Sequence, residues 1–207
     1  MKGEAKIVYE ALRQDLIRLN ANWQIFSQLF TVSEAKYEVF NETAPGFFKL
    51  LQDILIDNAV ISLSRLTDPA RYESLPRLIK LLEGQVAHIF YRELTTDLVA
   101  LQSACEDIRK HRDKRVAHKA LKIGGSHLRP TPSTLPSLTR KKIEGAMASS
   151  AALMNKVLGY FESTEQLFVP VIRGDADSLF HYVERGYNAA RAEKEETLAR
   201  YSHRKSA

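Results

Sequence analysis

The residue types best suited to chemistry stand close together in the segment 112–118. His118 carries an imidazole, which exchanges protons near neutral pH. Arg112 keeps its charge at physiological pH, and its planar guanidinium can bind two oxygens of one phosphate. Asp113 directly follows Arg112 and can hold its guanidinium or orient the imidazole. This combination suits the binding of an anion and the transfer of a proton beside it.

Arg112 also occupies an informative place in the apolar pattern of its helix. The stripe that leads to it consists of Leu98, Leu101, Cys105 and Ile108. The next step of four reaches Arg112, and a permanent charge at the end of a core-facing stripe needs an acidic partner or an anionic ligand. Positions 112 and 118 are about 240° apart on an ideal helix. We therefore expect a helix end near Arg115, which would allow both side chains to reach one site.

The charge of the surrounding segment is compatible with a polyanionic partner. The whole chain is modestly basic, with a formal net charge of +5, whereas residues 109–122 hold seven Lys or Arg, two His and one acid. Cations are also favoured at the end of any helix by the helix dipole, by about 0.3–1 kcal/mol each. From charge alone, a solvated helix end and a nucleic-acid patch both remain open interpretations.

Apolar spacing predicts helices along almost the whole chain. They cover residues 8–30, 34–40, 45–66, 75–82, 86–112 and 143–161, with a last helix from about 177. The third is apolar on more than one face, which predicts a central position among other helices. Residues 119–137 hold two glycines and three prolines and are predicted to form a long loop. The fold class is therefore all-α, a helical bundle with a long Gly/Pro loop and an extra C-terminal helix.

Length and composition indicate an ordinary domain. The 207 residues fit one helical domain over 1–190, followed by a charged helical tail over 191–207. No apolar run is long enough to span a membrane. Cys105 is the only cysteine, which favours a reducing compartment, and we expect the cytoplasm. The histidines lack metal-binding spacing and no glycine-rich nucleotide motif occurs, so neither a metal nor a cofactor is expected.

Two phrases of the sequence point to a known family. The first is Arg112-Asp113-x-x-x-x-His118 within IRKHRDKRVAHKAL, and the second is LSRLTD at residues 63–68. Both follow an early Trp/Phe-rich helix at residues 23–30. In this order they resemble the HEPN domains of the abortive-infection (AbiU-like) family, and the likeness covers roughly residues 20–120. The predicted fold is accordingly a HEPN-like bundle.

The resemblance implies a metal-independent endoribonuclease that acts as a homodimer, with the motifs of both copies facing one cleft. The ribose 2′-OH would attack the neighbouring phosphorus and leave a 2′,3′-cyclic phosphate. In that reaction His118 would move protons, Arg112 would stabilise the developing charge, and Asp113 would orient one of them. Flanking cations would bind RNA phosphates without reading bases. These cations are Arg109, Lys114, Arg115 and Lys119.

Charged residues in and before the LSRLTD phrase are candidates for supporting the site. Asp57 and Arg65 lie eight residues apart, so they can face the same side of their helix and pair. Arg65 and Asp68 are spaced for a local ion pair. We expect these residues to be structural, with Asp57 and Arg65 as the candidates for contacts behind the active centre.

Two other functions fit the same residues. A non-catalytic HEPN-like module would hold RNA or a nucleotide through the basic segment 109–122 and would not require a histidine at position 118. A structural dimer partner of another protein would use the loop 119–137 for docking. The setting that the resemblance implies is bacterial phage defence or a toxin, for which an antitoxin protein is a further candidate partner.

Overall fold

Eight α-helices form the regular structure of the described residues. The computed structural model describes residues 1–31, 34–121, 137–170, 172 and 174–205, with the backbone alone described for 114–121 and 202–205. The helices are α1 (Glu4–Phe30), α2 (Glu34–Thr43), α3 (Pro45–Leu66), α4 (Leu75–Leu82), α5 (His88–Ala104), α6 (Glu106–Leu121), α7 (Arg140–Glu162) and α8 (Asp175–Lys205). No strand occurs within these ranges. The predicted all-α class with an extra C-terminal helix is confirmed. Residues 119–121 of the predicted loop belong instead to α6, and residues 122–136 lie outside the described residues.

The chain divides into two compact units. The first comprises Met1–Asn22 and Ile56–Pro170, and the second comprises Trp23–Leu55 and Val171–Ala207. The domain boundary predicted at residue 190 falls inside α8, which continues to Lys205, and that division stays a prediction. None of the helices in the described part of the chain combines the length and the apolar character that a membrane crossing requires.

Apolar stripes on α1 and α5 build the core of the first unit. α5 packs against α4, α6 and α7. The buried members of the two stripes in this unit are Val8, Leu12, Leu16 and Leu19 on α1 and Leu94, Leu98 and Leu101 on α5. Their spacing of three or four residues is the pattern that predicts both helices, and the burial of these stripes confirms which face of each is the core face.

Aromatic rings build the core of the second unit. Trp23 stacks on Phe26 with ring centroids 4.5 Å apart. Phe40 lies 3.8 Å from Phe48 and meets Phe180 of α8 edge to face at 5.5 Å. Such pairs contribute about 0.5–1.5 kcal/mol beyond the burial of their area. The packing of α2 against α8 therefore depends on aromatic contacts.

The first half of α3 is buried on one side only. Leu63 and Leu66 near the end of the helix are at most 2% exposed, whereas Phe47, Leu50 and Ile54 are 58, 59 and 52% exposed. The prediction that α3 is enclosed on several sides is therefore wrong for its first half. Apolar width on a helix indicates what the helix can bury, and it does not require the same chain to supply the cover.

α4 begins and ends where its capping residues predict. The Ser74 hydroxyl oxygen accepts the Arg77 N–H at 3.4 Å, which satisfies a donor at the start of the helix. Gly84, just after the helix, has a φ of +78°, a left-handed conformation that favours glycine. Arg77 also pairs with Glu4 at 2.6 Å and so ties α4 to the start of α1.

One side chain attaches the extended segment that follows α7. Asn155 donates from Nδ2 to the Gln166 carbonyl at 3.1 Å and accepts the Gln166 N–H through Oδ1 at 2.8 Å. Two residues later, Phe168 is only 3% exposed. The two bonds hold the backbone of the segment at α7, and Phe168 anchors it in the core.

Asn155→Ala removes both bonds and leaves two backbone groups of Gln166 without their partner. We expect the free energy of unfolding to fall by about 1–3 kcal/mol, the range for loss of a partner to part-buried polar groups. Urea unfolding measures this. Asn41→Ala, which removes the same side chain from an exposed position of α2, is the control, and equal effects of the two variants would contradict the role given to Asn155.

Candidate functional site

The motif lies on α6, which is separate from α5. The apolar spacing predicts one helix from residue 86 to the motif, but α5 ends at Ala104 and α6 begins at Glu106. Cys105 between them has a φ of −86° and a ψ of 0°, far from the ψ near −42° of an α-helix. Glu106 and Asp107 form the acidic first turn of α6, as the helix dipole favours. This acidic pair is the one sequence feature that marks the boundary.

Arg109 links the two sides of the break. Its Nη2 donates to the Gln102 carbonyl at 2.7 Å, and its Nη1 donates to the Thr67 hydroxyl oxygen at 3.3 Å. Gln102 in turn donates from Nε2 to the Thr67 carbonyl at 3.1 Å. These three residues, the Thr67–Gln102–Arg109 clamp, connect the end of α3, the end of α5 and the start of α6. Arg109 thus contacts protein acceptors in the free chain, and the phosphate contact predicted for it stays a prediction.

Arg112 is paired with two carboxylates. Its Nη1 lies 3.8 Å from Asp68 Oδ2, while Nη2 and Nε reach one oxygen of Asp113 at 2.7 and 2.8 Å. The Arg112 side chain is 29% exposed, and Asp113 is 63% exposed. The charge at the end of the apolar stripe thus has the acidic partner that its position requires. Asp113 holds Arg112, which is one of the two roles predicted for it.

The last two residues of the LSRLTD phrase contact the motif helix. Asp68 accepts the Ala70 N–H through Oδ1 at 3.0 Å and directs Oδ2 toward Arg112. Thr67 is fully buried and receives the Arg109 guanidinium. Arg109 and Arg112 are three residues apart and therefore lie on one face of α6. The two phrases that carry the family resemblance are in direct contact.

Arg65, in the same phrase, does not form the local ion pair with Asp68 that its spacing predicts. It pairs with Asp15 of α1 at 2.9 Å and lies 3.9 Å from Glu73, and not with Asp68, whose carboxylate is engaged by Ala70 and Arg112. Arg65 therefore ties α3 to α1. Asp57 is half-buried on α3, and its expected role behind the site stays a prediction.

α6 continues past the motif without a break. It runs to Leu121, so the helix end expected near Arg115 is not observed. The residues of this stretch are good helix formers, and the first glycine comes only at 124. Positions 112 and 118 thus stay about 240° of rotation and about 9 Å of rise apart. The side chains with predicted roles that lie outside the described residues are His118, Lys114, Arg115 and Lys119.

Comparison with known families agrees with the resemblance read from the two phrases. The sequence model of the HEPN_AbiU2 family, described as AbiU2, matches residues 4–166. This range is more than half of the chain. The chain belongs to the HEPN_AbiU2 family. Among curated proteins and among solved structures, no significant match was found.

Sequence analysis did not identify three side chains that contact the motif helix of this HEPN_AbiU2 chain. Thr67 and Gln102 carry no charge and stand outside the motif, and Asp68 is interpretable from spacing only as a partner of Arg65. Their shared feature is position, because each lies at or just after the end of a helix that meets α6. Among the described residues, no group of three His, Cys, Asp or Glu side chains could hold a metal ion.

Lys142 attaches α7 to the start of the motif helix. Its Nζ lies 2.6 Å from Asp107 Oδ2 and donates to the Ser137 carbonyl at 2.9 Å. The hydrogen bond from Lys142 holds the pKa of Asp107 below its usual value, and the positive charges of Lys142, Lys110 and His111 add to this effect. α6 is therefore held at its first turn from α7 as well as from α3.

Lys142→Met removes the hydrogen bond but keeps the apolar stem of the side chain. We expect the pKa of Asp107 to rise toward the ordinary value of about 3.9. A carboxylate with a lowered folded-state pKa stabilises the fold above its unfolded pKa and loses that contribution as the pH falls through the folded pKa. The variant should therefore be more destabilised at neutral pH than in strong acid. NMR titration of the Asp107 carboxyl carbon and urea unfolding at both pH values measure these effects.

Lys141→Met is the matched control, since it removes the same charge from the neighbouring exposed position. An Asp107 pKa that moves equally in both variants would show that general charge, and not the bond from Lys142, lowers it.

Proposed function

We propose that this HEPN_AbiU2 chain is a metal-independent endoribonuclease whose active centre includes Arg112 and His118. The observation that carries the proposal is the placement of Arg112, half-buried on the motif helix between Asp68 and Asp113. A guanidinium held in place by carboxylates needs little reorganisation to receive a phosphate. The family match, which spans both phrases, supports the same function.

In the proposed reaction the ribose 2′-hydroxyl is the nucleophile. A histidine takes its proton while the 2′ oxygen bonds to the adjacent phosphorus, and the 5′ oxygen leaves with a proton from a second acid. The products are a 2′,3′-cyclic phosphate and a 5′-hydroxyl. Arg112 stabilises the negative charge that grows on the non-bridging oxygens. Asp113, 2.7 Å from Arg112 in the free chain, keeps the guanidinium oriented.

The proposed enzyme acts as a homodimer, because one copy of α6 is poorly shaped to bring both residues to one phosphate. Positions 112 and 118 differ by about 240° of rotation on an unbroken helix. Two copies related by a two-fold axis can instead present Arg112 of one chain and His118 of the other to the same phosphate. Each of the two symmetry-related sites then holds one arginine and one histidine.

An exposed apolar stripe on the first half of α3, in the second unit, is a candidate contact surface for a second copy of the chain. Phe47, Leu50 and Ile54 follow one another at intervals of three and four residues, and each is more than half exposed. Positions with this spacing share one face of a helix. Contiguous exposed apolar side chains mark interaction sites more often than they remain in water. A second copy of the same helix is the partner that we propose for this stripe.

The remaining parts of the proposal follow from the basic segment and from the family. Lys114, Arg115 and Lys119 would bind flanking RNA phosphates, giving affinity without base specificity. The family description, AbiU2, together with the abortive-infection resemblance, favours a cytoplasmic role in phage defence or as a toxin. A toxin of this kind would need an antitoxin protein as its second partner.

A second candidate function is a non-catalytic module that binds RNA or a nucleotide through residues 109–122. The charge of this segment, seven Lys or Arg against one acid, favours it, because phosphate binding needs cations and no group that transfers a proton. The two candidates differ at His118, which catalysis requires and phosphate binding does not.

His118→Ala should abolish cleavage of RNA by the purified full chain in excess EDTA. Loss of the group that transfers the proton lowers the rate by about 10²- to 10⁴-fold. Mapping the ends of the products checks the chemistry, since 2′,3′-cyclic phosphates must accompany the cleavage. His88→Ala, on an exposed position of α5, is the control. Equal RNA binding by wild type and His118→Ala without any cleavage would favour the non-catalytic module.

A mixture of Arg112→Ala and His118→Ala chains should regain activity that neither variant has alone. If each site takes its arginine from one copy and its histidine from the other, a mixed dimer keeps one of its two sites intact. Random exchange of subunits then restores about a quarter of the wild-type rate. Refolded mixtures over a range of ratios, assayed for RNA cleavage, give the measurement. No recovery at any ratio would place both residues of a site in the same chain.

A further inference from the structure

We propose that Thr67 and Arg109 are positioning residues, which fix the motif helix α6 to the end of α3 and thereby set the place of Arg112. The effect on catalysis rests on the proposed nuclease function. The positioning itself does not rest on that function, because it concerns only how α6 is fixed to the end of α3. Arg109 thereby has a different role from the phosphate contact that its charge suggests.

The first argument is the closed geometry of the clamp. Arg109 donates across the break at Cys105 to the Gln102 carbonyl at 2.7 Å, which ties the start of α6 to the last turn of α5. It also donates to the Thr67 hydroxyl at 3.3 Å, and Gln102 donates to the Thr67 carbonyl at 3.1 Å. Each of the three residues is bonded to the other two. A change in the direction of α6 would therefore break bonds to both α3 and α5.

The second argument is burial. Thr67, Cys105 and Ile108, which surround the break, are each 0% exposed. The hydrogen bonds of the clamp are part-buried, and at the fully buried Thr67 they are stronger than in water. The Thr67 hydroxyl, which also donates to the Leu63 carbonyl at 3.0 Å, is thus a fixed acceptor for Arg109 and not an adaptable surface contact.

The third argument is the register between two pairs of neighbours. Thr67 and Asp68 are consecutive at the end of α3, and they contact Arg109 and Arg112, which are one turn apart on α6. The pair Thr67–Arg109 therefore determines how close Asp68 and Arg112 can come. A displacement of a catalytic group by about 1 Å can lower a rate by about 10²-fold, so loosening the clamp would affect catalysis without removing any reacting group.

The first experiment compares hydroxyl variants at Thr67. Thr67→Val keeps the shape and removes the acceptor, and Thr67→Ser restores it. Ser64→Ala is the matched control, because Ser64 is equally buried on α3, three residues before Thr67, and its hydroxyl donates to the Val60 carbonyl at 2.7 Å. Amide hydrogen exchange of the full chain is followed in α6 and, for comparison, in α7.

We expect Thr67→Val to exchange about three- to tenfold faster in α6 and to leave α7 unchanged, the range for one hydrogen bond that holds a local unit. Thr67→Ser should return to wild-type rates, and Ser64→Ala should leave α6 unaffected. Equal acceleration in α6 and α7, or the same acceleration of α6 in Ser64→Ala, would overturn the proposal, because the hydroxyl would then contribute only to overall stability.

The second experiment separates positioning from phosphate binding at Arg109. Arg109→Met keeps the apolar stem and removes the guanidinium, and Lys141→Met removes one positive charge from an exposed position of α7, outside the basic segment. For a positioning residue, kcat of RNA cleavage falls while KM and the salt dependence of RNA binding stay as in Lys141→Met. For a phosphate contact, KM rises at unchanged kcat and the salt slope falls by about one counterion, which would overturn the proposal.

A wild-type chain that cleaves no RNA would refute the proposed function and leave the positioning proposal to the exchange experiment alone. In that case faster exchange confined to α6 in Thr67→Val, reversed in Thr67→Ser, still supports the clamp. Unchanged exchange in α6 still refutes it.

Discussion

An arginine that reaches toward the core must find acceptors there, because it cannot give up its charge. This constraint governs the motif helix of the HEPN_AbiU2 chain. Arg109 donates to the Gln102 carbonyl and the Thr67 hydroxyl, and Arg112 lies 2.7 Å from Asp113 of its own helix and 3.8 Å from Asp68. All of these acceptors except Asp113 lie at the ends of α3 and α5, so the direction of α6 depends on where its neighbours end. The residues that position the candidate site therefore lie mainly at the ends of helices.

The regular parts of the fold were predictable because helical periodicity is a local property. Stripes such as Leu12 and Leu16 on α1, or Leu94 and Leu98 on α5, identify the core faces. The break at Cys105 was not predictable from periodicity, because the apolar stripe continues through it without a glycine or a proline. What stabilises the break is the side chain of Arg109, whose acceptor on α3 is distant in sequence. Periodicity alone contains no such information.

Some contacts of the candidate site were likewise predictable from the sequence, and others were not. Spacing predicts that Arg112 needs an acidic partner, but the choice of Asp68 depends on how α3 lies against α6, and the local rule for ion pairs assigns Asp68 to Arg65 instead. In the structure Arg65 pairs with Asp15. The family resemblance, by contrast, could be read from two short phrases, because it required only their order along the chain and no knowledge of their contact.

Because Cys105 lies at the break between α5 and α6, the reaction of its thiol can report the opening of this junction. The chain has a single cysteine, it is 0% exposed, and burial raises the pKa of its thiol. Only a solvated thiolate reacts with an alkylating reagent. The rate constant for alkylation of the native chain is therefore the fraction of molecules in which this junction is open multiplied by the rate constant of an ordinary thiol. A ligand that holds α6 more tightly against α3 would slow this alkylation. The measurement uses the native cysteine and needs no introduced reporter group.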